Sequence, residues 1–152
     1  MIEIQKVEEY AAEIKAAIPD ITQIAIVIDD SQLSKKIADY NIGDTILVGF
    51  IPSHQIEGAN ADSAMSLDYM LWMVLNKIDR NEGNDEFISK FKLAQRITKD
   101  IIRKMLVDKP GFGGTCGIMK FLQVPTIKAD PVWSLNACDG YVINYSLKTG
   151  LY

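Results

Sequence analysis

The segment from Met65 to Ile78 decides whether this chain is built on a sheet. Met65, Leu67, Tyr69, Leu71, Met73 and Leu75 alternate with Ser66, Asp68, Met70, Trp72, Val74 and Asn76. Period-two alternation marks a strand with one face in a core, and the second half, apolar on both sides, reads as a strand covered on both faces. Leu67, Leu71, Val74 and Ile78 also fit helical spacing, so a helix competes. The strand is the favoured reading, buried on one face early and on both faces late.

The flanking segments extend the pattern. Ile4, Val7, Ala11, Ile14 and Ile18 step by three and four, which predicts a helix over residues 3–18 that Pro19-Asp20 ends. Ile24 to Ile28 and Thr45 to Ile51 are short β-branched runs and read as strands. Residues 32–39 suggest one or two helical turns, with Leu33 and Ile37 on one side. Residues 53–63 read as a polar loop after Pro52. Asp85 is expected to cap a long helix over Glu86 to Val107, whose apolar face is Phe87, Phe91, Ala94, Ile97, Ile101 and Met105. Residues 111–117 read as a flexible Gly-rich loop. Ile118 to Trp133 and Tyr141 to Lys148 are expected to supply a closing hairpin, turned by the polar stretch Asn136 to Gly140. The order helix, strand, strand, strand, helix, strand, strand predicts an α+β fold: one domain over residues 1–152, with a mostly antiparallel sheet and two main helices packed on one face.

Length and charge narrow the function classes. With 152 residues, 48% hydrophobic and 24% charged, the chain can bury a core without disulfides or metals. A net charge of −4 argues against general nucleic-acid binding, which rests on Lys and Arg neutralising phosphates. No run approaches the ~20 apolar residues that span a bilayer. The acidic N-terminal segment does not read as a signal peptide. Cys116 and Cys138 match no zinc pattern and read as two free thiols ahead of one disulfide.

Candidate chemistry is sparse. Asp29-Asp30-Ser31 follows a strand, a place where carboxylates hold Mg²⁺ in metal-dependent phosphoesterases. An adhesion-type metal site would need a further Ser where Leu33 stands, and a capped turn is the favoured reading. The Gly-rich loop lacks the Lys of a phosphate cradle and does not lead into a helix. His54 has no evident Ser or Cys partner. Trp72 and Trp133 read first as core anchors, with interface anchors as the alternative. Lys35, Lys36, Lys90, Lys92, Arg96, Lys99, Arg103 and Lys104 read as solvated helix faces. No catalytic residue, metal ligand or cofactor is expected.

The closing elements, with Trp133-Ser134, Asp139, Tyr141-Val142-Ile143 and Tyr145, resemble the final strand pair of the tail terminator proteins of long-tailed phages, also called minor tail or tail-completion proteins. The strand end Phe50-Ile51-Pro52 and the polar loop after it are compatible with the same family, and the element order is similar over most of the chain. The chain departs from the family in its Gly-rich loop and in the length of residues 118–133. The resemblance implies a virion structural protein, made in the host cytoplasm, that forms a hexameric ring of itself, caps the tail-tube protein and joins it to the neck connector. It implies no membrane partner and no sequence-specific nucleic acid. An acidic charge suits a channel through which DNA passes without sticking. Candidate oligomer or partner contacts are His54, Gln55, Glu57, Asn60, Phe112 and Trp133. The alternatives are a small phosphoesterase using Asp29 and Asp30, or a non-viral adaptor that binds a partner through an exposed sheet edge.

Overall fold

A computed structural model of the chain describes residues 1–79, 81, 83–109 and 117–151. Three helices and six strands follow in the order α1 (Ile4–Ala17), β1 (Gln23–Val27), α2 (Asp30–Ala38), β2 (Thr45–Phe50), β3 (Ser53–Glu57), β4 (Met65–Lys77), α3 (Asn84–Asp108), β5 (Lys128–Leu135) and β6 (Cys138–Gly150). The fold is α+β. The strands form one sheet in the order β1-β2-β4-β6-β5, and β3 also pairs with β4. Only β1 and β2 run parallel, joined by the α2 crossover; the other pairings are antiparallel.

The segment Met65–Lys77 is a strand throughout, and it is the centre of the sheet. It pairs with β2 and β3 on one side and with the whole of β6 on the other. Its burial inverts the sequence expectation. In its first half the polar-phase residues Ser66, Asp68 and Met70 are buried, whereas Tyr69 is 43% exposed. The phase is set by its neighbours: Met70, Trp72 and Val74 face α1 and α3, and Ser66 and Asp68 share that face.

α1 and α3 cover one face of the sheet, as expected for the two main helices. Val7, Tyr10, Ala11 and Ile14 of α1 and Ala94, Ile97, Ile101 and Met105 of α3 close over Leu47, Trp72, Ile143 and Leu147. Ile4, placed on the buried stripe by its spacing, is 45% exposed, and Tyr10 takes a core position. Each large apolar side chain removed from water here contributes roughly 1.5–3 kcal/mol. α2 is a full helix and packs on the opposite face, with Leu33 and Ile37 over Ala25, Val27, Ile46 and Val48. Lys77 Nζ donates to the carbonyls of Ile37 (2.9 Å), Ala38 (3.4 Å) and Tyr40, so the end of β4 satisfies the last turn of α2.

Three expectations are corrected. Residues 53–63 are not a loop: they contain β3 and a short 3₁₀ turn, Ala61–Ser63. Residues 118–127 are not strand but two 3₁₀ turns, Met119–Phe121 and Val124–Thr126, that lay Met119 and Leu122 in the core. Asp85 lies inside α3, whose N-cap is Gly83. The β5–β6 turn is also tighter than expected. Asn136 (φ 51°) and Ala137 (φ 60°) alone make it, the two left-handed positions of a two-residue hairpin.

Close backbone approach fixes two glycines. A Cβ on Gly49 would strike the Trp72 ring, and a Cβ on Gly140 would strike the Val74 carbonyl oxygen of the neighbouring β4. Gly140 has no flexible side chain opposite it to move aside, so Gly140→Ala forces the two central strands apart. A loss of about 1–3 kcal/mol or more is expected, read as a lower urea midpoint than wild type.

Candidate functional site

The candidate contact residues converge on β3 more than their loop assignment implied. His54, Gln55, Glu57 and Asn60 are each spent on a different neighbour. His54 Nδ1 lies 2.7 Å from Asp68 Oδ1. Gln55 Oε1 accepts from the Tyr69 hydroxyl at 2.8 Å. Glu57 pairs with Lys148 at 3.2 Å; both are half-exposed, so that pair contributes little. Asn60 caps the 3₁₀ turn by accepting from the Ser63 amide at 3.0 Å. Phe112 and Cys116 fall outside the described residues, as does most of the Gly-rich loop. Trp133, expected first in the core, stands 73% exposed on β5, at the other edge of the sheet from β3.

Asp68 is the residue that sequence reasoning missed. It is fully buried, on the inward face of β4. Ser66 Oγ donates to its Oδ1 at 2.5 Å and Thr149 Oγ1 to its Oδ2 at 2.9 Å. The Met1 amine donates to Thr149 Oγ1 and lies 3.9 Å from Asp68 Oδ2. Burial pushes the Asp68 carboxyl up, but the hydrogen bonds from Ser66, His54 and Thr149 and the charge of the amine outweigh it and hold the group below its ordinary value. An ionised carboxylate only accepts, so the His54 proton sits on Nδ1 and Nε2 faces away from Asp68. A signal existed in the sequence: Ser66 and Asp68 share the phase of Met70, Trp72 and Val74, so one face of β4 turns from polar to apolar along its length.

This constellation ties an edge strand to the sheet; it does not form a nucleophile relay. Ser66 donates to the same carboxylate as His54 and is itself fully buried, so its hydroxyl is committed. Cys138 is buried, and burial pushes its thiol up to about 11, well away from a reactive thiolate. Asp29 Oδ1 accepts from the Gln32 amide at 2.9 Å, the N-cap of α2, and both Asp29 and Asp30 are exposed. Among the described residues no three His, Cys, Asp or Glu side chains are grouped to hold a metal ion. No described helix is long and apolar enough to cross a membrane.

The three edges of the sheet differ. On β1 the Ile24 carbonyl accepts from Tyr40 Oη at 3.2 Å and the Ile26 carbonyl from Lys36 Nζ at 2.8 Å, so side chains of α2 and of the residues just after it occupy that edge. On β5, Pro131 removes a donor and the register breaks between Val132 and Leu135. β3 pairs only with β4, and its residues 53–56 are exposed. Among the described residues, β3 is the edge left open to another strand.

Comparison with known protein families and with curated protein sequences finds no match to this chain.

Two outcomes follow for the carboxylates. The depressed folded-state pKa of Asp68 means its contribution to stability is complete above the unfolded value near 3.8 and is lost as pH falls through the folded one. Asp68→Asn should therefore cost about 1–3 kcal/mol at neutral pH and flatten the acid limb of the stability–pH curve below pH ~4, as measured by urea melts across pH. Asp29→Ala should cost about 1 kcal/mol through the lost cap, with a thermal midpoint that Mg²⁺ leaves unchanged in both wild type and variant.

Proposed function

We propose that this chain is a ring-forming structural subunit of the phage tail-terminator kind, one that caps a tail tube and joins it to the neck. The observation that supports this best is the asymmetry of its sheet edges. An open strand, β3, lies on one edge, and an exposed tryptophan on a broken strand, β5, lies on the other. Two different surfaces on opposite sides of one subunit favour head-to-tail contacts, which close into a ring when the rotation allows. The committed roles of Asp29, Ser66 and Asp68 fit a scaffold whose polar groups hold its own elements. On this reading the protein resides in the virion, with tail-tube and neck proteins as partners.

The open β3 edge also favours a second reading, an adaptor that adds a partner's extended segment to its sheet. One experiment separates the two. The purified chain is weighed by sedimentation across a wide concentration range and then added to polymerising tail-tube protein. A discrete closed oligomer that binds tube ends and stops their growth is expected. A strict monomer that leaves tube length unchanged would rule out the ring.

A further inference from the structure

We propose that the groove between α3 and β5 binds a small organic polyanion, a chain of phosphates carried on a flat aromatic ring; this does not depend on the ring-assembly reading. The groove exists because the sheet is wider than the helices above it. α3 lies over β4 and β6, and β5 is the next strand out. Ala129 stands opposite Ile143 in the β5–β6 pair, so it shares the face that packs on α3, yet it is exposed. The hollow left there holds about 650 Å³, a size typical of small-molecule sites.

Floor and rim differ in chemistry. The floor is Ile102, Ala129 and the Tyr141 ring. The rim is one face of α3, where Lys92, Gln95, Arg96 and Lys99 recur at helical spacing. Every charged side chain that lines the groove is a cation, in a chain whose net charge is −4. Lys92, Gln95, Lys99 and the Tyr141 hydroxyl have no hydrogen-bond or ion-pair partner among the described residues. Arg96 gives one nitrogen to Asp20 at 3.2 Å, a half-exposed pair that leaves its other donors available. Thr98 is the one buried member of the wall, and its hydroxyl has no hydrogen-bond partner. Like charges on one helix face repel one another, and an anion laid along them removes that cost. Lys92 and Lys99 stand about 10 Å apart along the helix axis, so a chain of phosphates matches the row better than a single one. The apolar floor beside Tyr141 then takes the flat ring.

Titration calorimetry of the full chain with ATP, and separately with inorganic triphosphate, tests the site. ATP should bind one to one, and more weakly as salt rises. Inorganic triphosphate, which lacks the ring, should bind less tightly. Lys92→Gln combined with Lys99→Gln should weaken both ligands on the order of tenfold or more, with an unchanged urea midpoint. Ala129→Leu fills the exposed floor and should weaken ATP while leaving triphosphate as it was. Lys35→Gln, on α2 at the opposite face of the sheet, should change neither. Absence of ATP binding at low salt overturns the site, and so does an equal loss from Lys35→Gln, which would mark diffuse charge attraction. Equal affinity for the two ligands with no response to Ala129→Leu overturns the seat for a ring. A single-stranded DNA oligonucleotide that displaces ATP and binds more tightly overturns the small ligand in favour of a nucleic acid.

Discussion

β4 and β6 pair over their whole length, from Met65 opposite Gly150 to Lys77 opposite Cys138. Each is a thirteen-residue strand, and every other element takes its place from this ladder. One face of it carries Trp72, Val74, Ile143 and Leu147 and receives α1 and α3. The other carries Leu75 and Cys138 toward the α2 layer. Trp72 shows how tightly the ladder is set. Its indole crosses Gly49, stands 6.4 Å from the Tyr10 ring and donates to the Tyr145 hydroxyl at 2.5 Å. Tyr10 in turn donates to Asp108, which Lys104 also holds at 2.8 Å. A chain of contacts thus runs from the centre of the sheet through α1 to the end of α3.

The same ladder explains why the interesting surfaces lie at the margins. Its centre is filled by packing, and its far end is filled by Asp68 and the hydroxyls around it. A buried carboxylate is costly unless fully satisfied, and here four neighbours satisfy it. Of these, His54 alone belongs to β3, and with the backbone ladder it ties that strand, which has little apolar burial of its own, to β4. The free side of that strand is thereby kept extended in advance, so a partner strand would not have to order it.

Much of this was legible in the residues. α1 and α3 follow from spacing, because each buries one regular face and burial leaves a periodic record; β4 follows from alternation, and β1 and β2 from β-branched runs. β3 left none: residues 53–56 are exposed on both faces, so no alternation distinguishes an edge strand from a loop. Residues 118–127 misled for the opposite reason. Ile118, Met119 and Leu122 are buried as a strand's would be, but hydrophobicity records burial and not backbone shape, and 3₁₀ turns bury them here. In β4 the apolar residues Leu67 and Tyr69 suggested the inward face, yet Asp68 is the buried one. Its inward place follows the phase it shares with Met70, Trp72 and Val74, while the partners that satisfy it, Thr149 and His54, lie distant in sequence. Trp133 was read by its size, when the slip in β5 decided its exposure.

The interruption at Ile51 and Pro52 separates two stretches of backbone pairing against one continuous partner strand. Cooperative units of opening tend to end where hydrogen bonding ends, so this seam divides the β2–β3 edge into a part tied to the core and a part that can detach alone. β2 cannot leave without uncovering both layers of helices. β3 can, at the cost of its contacts with Asp68, Tyr69 and Lys148. The seam at Pro52 therefore marks where the deeply buried part of this edge, Thr45 to Gly49, gives way to its exposed part, Ser53 to Ile56.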